Sequence, residues 1–219
     1  MLRIPCIFFS LLLLLCFAAC DPDPEEQIIV PKPRMYPRID FPAHTYKVFD
    51  SLCPYSFETP QYSVVLPDEG EYTEPCWVNV FYPRFGAVLH VSYKTVQGNL
   101  NQFMKDCDNF AKKHTVKANG LEENVIFRDT ARVFGLLYDI KGNAASNLQF
   151  FVTDSVRHFL RGSLYFNVAP NIDSLQPVID FLREDIVQLV KTLKWKNAVS
   201  ISSEVNPMKE KKTSSAKIP

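Results

Sequence analysis

Glycine is scarce in this chain, with 7 residues in 219. That leaves little room for loops that bring backbone N–H groups onto phosphates, and neither G-x-x-x-x-G-K nor G-x-G-x-x-G occurs. A surplus of one charge is also missing. Lys and Arg together number 24, as do Asp and Glu, which argues against a nucleic-acid binder, whose domain carries a basic excess. No apolar run reaches the ~20 residues of a spanning helix. Cysteine spacing matches no zinc pattern, so no metal is expected. Internal repeats are absent. What is present is core material: 47% hydrophobic and 13% aromatic residues. That suits one domain with tails.

The first twenty residues are the most specific segment. Arg3 is followed by the apolar stretch Ile4 to Phe17, then Ala18, Ala19 and Cys20, and the composition turns at once to D-P-D-P-E-E. A charged start, an apolar stretch and small residues at the end make a secretory signal over residues 1–19. A cysteine directly after the cleavage point resembles the lipobox of bacterial lipoproteins. Phe17 departs from the usual Leu three residues before the cysteine. This resemblance implies a mature chain that starts at acylated Cys20, carries palmitate-type chains and is held on a membrane outside the cytoplasm. One acyl chain binds a membrane only marginally, and bacterial lipoproteins carry two or three. Asp21, Asp23, Glu25 and Glu26 read as a solvated part of a Pro-rich tether over residues 20–34.

Cys6 and Cys16 leave with the signal. Cys107 falls on the apolar face of a predicted helix, where a cysteine acts as a small hydrophobe. Cys53 and Cys76 are then the disulfide pair that an oxidising compartment permits. Closing a loop of roughly 24 residues contributes about 3 kcal/mol.

Residues 35–196 read as one α+β domain, and residues 197–219, rich in Lys and Ser, as a disordered tail. Pro37 to Pro75 reads as an extended strap with short strands around Tyr46 to Phe49 and Tyr62 to Leu66. Trp77 to Tyr82 and the alternating stretch from Ala87 make a hairpin. Leu100, Phe103, Met104, Cys107, Phe110 and Ala111 form a helical stripe, with Asn99 as N-cap and Gln102 completing a capping box. Strands follow at Asn124 to Arg128, Arg132 to Ile140, Leu148 to Val152 and His158 to Asn167. The last helix keeps Leu175, Val178, Ile179, Leu182, Ile186, Leu189, Val190 and Leu193 on one face. Asp173 or Ser174 is its expected cap, and Pro177 falls in its first turn. The expected architecture is an antiparallel β-sheet of about six strands packed by two helices. This order of elements resembles the Mog1/PsbP-like α-β-α sandwich.

Chemistry-bearing residues are scattered. His90, Ser92, His158, Asp139 and Asp154 permit a Ser-His-Asp arrangement on paper, but no G-x-S-x-G string supports it. Arg157 and Arg161 would share one face of a strand, suited to gripping an anionic partner or to solvating that face. Asn143, Asn147 and Gln149 suit a polar rim near the same turns.

Longer strings carry a family resemblance. P-K-P-R-M-Y-P-R-I-D (31–40), C-P-Y-S-F-E-T-P-Q-Y (53–62), C-W-V-N-V-F-Y-P-R-F (76–85) and L-H-V-S-Y-K (89–94) resemble the gliding motility lipoprotein GldD family. So do L-Y-D-I-K-G-N-A-A-S (137–146), T-D-S-V-R-H-F-L-R-G-S-L-Y-F (153–166), P-N-I-D-S-L (170–175) and K-W-K (194–196). The resemblance implies a membrane-anchored, non-enzymatic accessory lipoprotein of the gliding motility and type IX protein secretion machinery, with no cofactor. Its partners would be other proteins of that machinery and the lipid membrane. It would face the periplasm. The alternative from another class is a periplasmic ligand-binding or hydrolytic domain.

Overall fold

Alternating strands build the frame, and two amphipathic helices cover it. The computed structural model describes residues 38–114, 118–169 and 171–196. Apart from Arg38 these lie in one compact unit that begins at Ile39. The signal, the tether with Cys20 and the tail after 196 lie outside the described residues. No described helix is long and apolar enough to cross a membrane.

Ten strands are described: β1 (Tyr46–Asp50), β2 (Tyr55–Pro60), β3 (Val64–Pro67), β4 (Val78–Tyr82), β5 (Ala87–Thr95), β6 (Ala118–Arg128), β7 (Val133–Gly142), β8 (Leu148–Thr153), β9 (His158–Phe166) and β10 (Lys194–Trp195). The helices are α1 (Leu100–His114) and α2 (Ile172–Thr192). One antiparallel sheet runs β3-β4-β5-β9-β8-β7-β6, and a smaller one runs β1-β2-β10. The large sheet has seven strands, against about six expected, because β3 pairs with β4 at the edge of the hairpin.

Side chains alternate across a strand, and β9 shows the result. Leu160 and Leu164 enter the core under α2, while Phe159 enters a second core under α1. The larger core joins Leu89, Val91, Leu137, Phe150 and Val152 to Leu182, Ile186 and Leu189 of α2, and to Tyr55 and Phe57 of β2. Each fully buried Leu or Ile contributes on the order of 2 kcal/mol. The two helices therefore sit on opposite faces of one sheet, an α-β-α arrangement. The small sheet adds β2 to the α2 side.

Three local expectations need correction. Asn99 does not cap α1 with its side chain. Its Oδ1 accepts the N–H of Gln97 at 2.9 Å, and the Gln102 amide donates to Asp106 instead of reaching back. The cap of α2 is Asn171, not Asp173 or Ser174, and its side chain makes no capping bond. Asn143, from the β7–β8 turn, supplies the acceptor: its Oδ1 takes the Ile172 N–H at 2.8 Å. This earlier start places Pro177 inside the helix, past the turn in which its missing N–H would be free of cost. Burial of Val178, Ile179 and Leu182 beside it carries the helix through.

Candidate functional site

The residues singled out from sequence are held by different parts of the fold. Asp139, on β7, is 4% exposed and is gripped by Arg183 of α2, whose Nη2 lies 2.9 Å from Oδ2 and whose Nε donates to both oxygens at 3.1 Å. Asn124 donates to the same carboxylate at 3.0 Å. This cluster fastens α2 to the sheet. His90 stands on the opposite face. Its Nδ1 lies 2.6 Å from Asn79 Oδ1, and Asn79 Nδ2 donates to Asp68 at 2.8 Å. With Trp77, Ser92 and Arg161 these residues line a groove of about 210 Å³. Desolvation lowers the His90 pKa, Asp68 opposes the shift and Arg161 adds to it.

The expected pairing of Arg157 with Arg161 does not form. Arg157 lies in the turn before β9, so strand alternation does not reach it. Arg161 sits mid-strand, donates to Gln149 Oε1 at 3.0 Å and lies 4.9 Å from the centre of the Phe110 ring. That ties it to the packing of α1 over the sheet. Gln149 Nε2 and the Ser163 hydroxyl are buried beside it without protein partners. Asn147 is spent on the carbonyls of Ile140 and Gly142, at 2.8 and 2.9 Å.

Arg157 instead belongs to a cleft of about 390 Å³ lined by Thr130, Arg132, Asp154, His158, Trp195 and Lys196 together with Ala131, Val156 and Arg157. Three chain segments make it. The short turn between β6 and β7 brings Arg132, the β8–β9 turn brings Asp154 to His158, and β10 brings Trp195. The Trp195 ring stacks on His158 with centroids 5.2 Å apart and planes 12° apart. Trp195 Nε1 donates to the Arg132 carbonyl at 2.9 Å, and His158 Nδ1 lies 2.8 Å from the Tyr93 hydroxyl. Both rings are thus fixed. Burial lowers the His158 pKa; Asp154 opposes this and Arg157 reinforces it. Asp154 Oδ1 accepts the backbone N–H groups of Val156, Arg157 and His158 at 2.8–2.9 Å. Desolvation works against ionisation of Asp154, but these N–H bonds outweigh it and hold the carboxyl below its usual range.

Cys53 and Cys76 are joined in a disulfide with Cα atoms 5.4 Å apart. Cys107, on the buried face of α1, is a free thiol, and desolvation pushes its pKa up to about 11. Among the described residues, no three His, Cys, Asp or Glu side chains gather as a metal site would require.

The profile of the gliding motility lipoprotein GldD family matches residues 26–195. The chain belongs to that family. The match takes in every described strand and helix of the domain and starts after Cys20. No curated protein matches the chain. Among solved structures, the solution structure of cyanobacterial PsbP (CyanoP) from Synechocystis sp. PCC 6803 is similar at 13% identity. It covers 70% of this chain and 94% of its own, with a TM-score of 0.39.

One cluster in this family member escaped the sequence reading. Asp185 of α2 is 0% exposed. Its Oδ1 accepts from His44 Nδ1 at 2.8 Å and from the Tyr46 hydroxyl at 3.1 Å, and its Oδ2 accepts from the Tyr62 hydroxyl. All three donors come from the strap before β3, which is thereby pinned to α2. The sequence signal was present: an Asp set three residues after Leu182, within the apolar stripe.

Proposed function

We propose that this chain is a membrane-anchored, non-enzymatic accessory lipoprotein of the gliding motility and type IX protein secretion machinery, facing the periplasm. The family match over residues 26–195 carries the reading. The leader that ends just before Cys20 supports anchoring by acyl chains rather than by a spanning helix. The commitments of the titratable residues support an interaction role. His90 is tied to Asn79, Asp139 to Arg183 and Asp154 to three backbone N–H groups. Each has a structural reason to be where it is. Partners would be other proteins of the machinery.

The test separates anchor from domain. In the native cell, Cys20→Ala should stop incorporation of labelled palmitate, move the protein out of the membrane fraction and abolish motility or secretion. A soluble Cys20→Ala variant with full motility and secretion would refute the anchored role. Crosslinking in the native cell, read by mass spectrometry, should capture proteins of the same machinery.

A further inference from the structure

We propose that the cleft between Arg132, Arg157 and Trp195 binds a phosphate monoester, with the phosphate between the two guanidinium groups and the body of the ligand on the indole. This goes beyond the accessory role, and neither result depends on the other.

Charge comes first. Three cations line the cleft against one carboxylate. Lys196 is engaged by Asp50 and by the Ser51 carbonyl. Oδ1 of Asp154 is taken by three backbone N–H groups. Among the described residues no carboxylate pairs with Arg132 or Arg157. The recorded bond from the Arg132 side chain is long, 3.4 Å to the Asp154 carbonyl. Two exposed arginines and the Thr130 hydroxyl therefore present donors and, with the ionised Asp154 counted against them, a net charge of about +1. A dianion rich in acceptor oxygens matches both, and guanidinium forks fit phosphate oxygens two at a time.

The walls add the second part. The Trp195 and His158 rings lie nearly parallel, each fixed by a hydrogen bond. A rigid aromatic floor suits a planar or apolar ligand body. At about 390 Å³ the cleft lies in the small-ligand range, with room for a phosphate and one ring.

The backbone adds the third. Arg132 and Ser155 have φ of 50° and 68°. Left-handed conformations cost a residue with a side chain roughly 1 kcal/mol or more, and such strain gathers at ligand clamps. Of the three described non-glycine residues with positive φ, Arg132 lines the cleft and Ser155 stands in the chain between its lining residues Asp154 and Val156.

Isothermal titration of the detergent-solubilised full-length chain tests the proposal. The probes are phenyl phosphate, dihexanoyl phosphatidic acid kept monomeric, and benzoate. Saturable one-to-one binding of at least one phosphate is expected, with benzoate much weaker. Tighter binding of phenyl phosphate would identify a soluble ester, and tighter binding of the short lipid a headgroup. Arg157→Gln and Arg132→Gln should each weaken binding about tenfold or more, the loss of one charge-assisted contact. Arg157→Lys should fall between, and Lys113→Gln, on the exposed side of α1, should change nothing. Thermal melts check that each variant is folded. No saturable binding of either phosphate, benzoate binding as tightly, or a folded Arg157→Gln protein with unchanged affinity would overturn the proposal.

Discussion

Asp154 and Asp185 are carboxylates in the same domain whose effects on stability run in opposite directions with pH. At Asp154 desolvation is outweighed by three backbone N–H donors, and the carboxyl is held below its usual range. A depressed folded-state pKa means stability that is present above the unfolded pKa, near 4, and lost as pH falls through the folded value. At Asp185 burial dominates and raises the carboxyl despite bonds from Tyr62, His44 and Tyr46. A raised folded-state pKa means stability that is fullest below the unfolded pKa and lost as pH rises through the folded value. Urea unfolding at several pH values should show both signs. Asp154→Ala should cost about 1–2 kcal/mol at neutral pH, allowing for solvent screening of a partly exposed group, and less in acid. The deficit of Asp185→Asn should be largest in acid and shrink toward neutral pH. A deficit at Asp185→Asn that grows with pH would show that its hydrogen bonds outweigh its burial.

Elements with an uninterrupted pattern were legible, and those bounded by proline or carrying charge were not. The stripe of α2 from Val178 to Val190 and the alternation of β5 carry their own period. β2 alternates Tyr55, Phe57 and Thr59 inward, but Pro54 before it and Pro60 at its end gave it the look of a strap. The first half of β6, A-N-G-L-E-E, is the polar start of an edge strand, where packing no longer demands apolar residues. The cleft was half legible. Arg157 was singled out, but Arg132 and Trp195 join it only through pairing that brings distant turns together. The close approach of Phe150 to Gly162 is likewise a pairing effect. The two residues face each other on β8 and β9, and a Cβ at 162 would lie 2.2 Å from the Phe150 ring. Gly162→Ala should therefore drive that ring from the main core and cost about 2–3 kcal/mol by overpacking, seen as a lowered urea midpoint. An unchanged midpoint would mean that the ring has another place to go.

At the scale of the whole molecule, α2 is the hub. Arg183 ties it to Asp139 of the large sheet, Asp185 ties it to the strap, and Gln188 donates to Glu58 of the small sheet at 2.7 Å. Its polar residues thus serve assembly, which gives a way to distinguish an interaction protein from an enzyme. Removing Arg183 leaves a nearly buried carboxylate with Asn124 alone, whereas removing Asp139 leaves a guanidinium that still reaches water. Arg183→Ala should therefore destabilise more, by about 3 kcal/mol, than Asp139→Ala, by about 1–2 kcal/mol. If the protein acts by docking, loss of motility or secretion across these variants should follow the loss of folded protein in the cell. His90→Gln and His158→Gln should then retain function, since neither ring would be asked to carry a proton. If the protein is a hydrolase, one histidine variant should be inactive at full stability and abundance. Melting temperature, cellular level and motility measured together decide between the two. A stable, abundant and inactive His90→Gln protein that still captures its partners would move the assignment to the enzyme class.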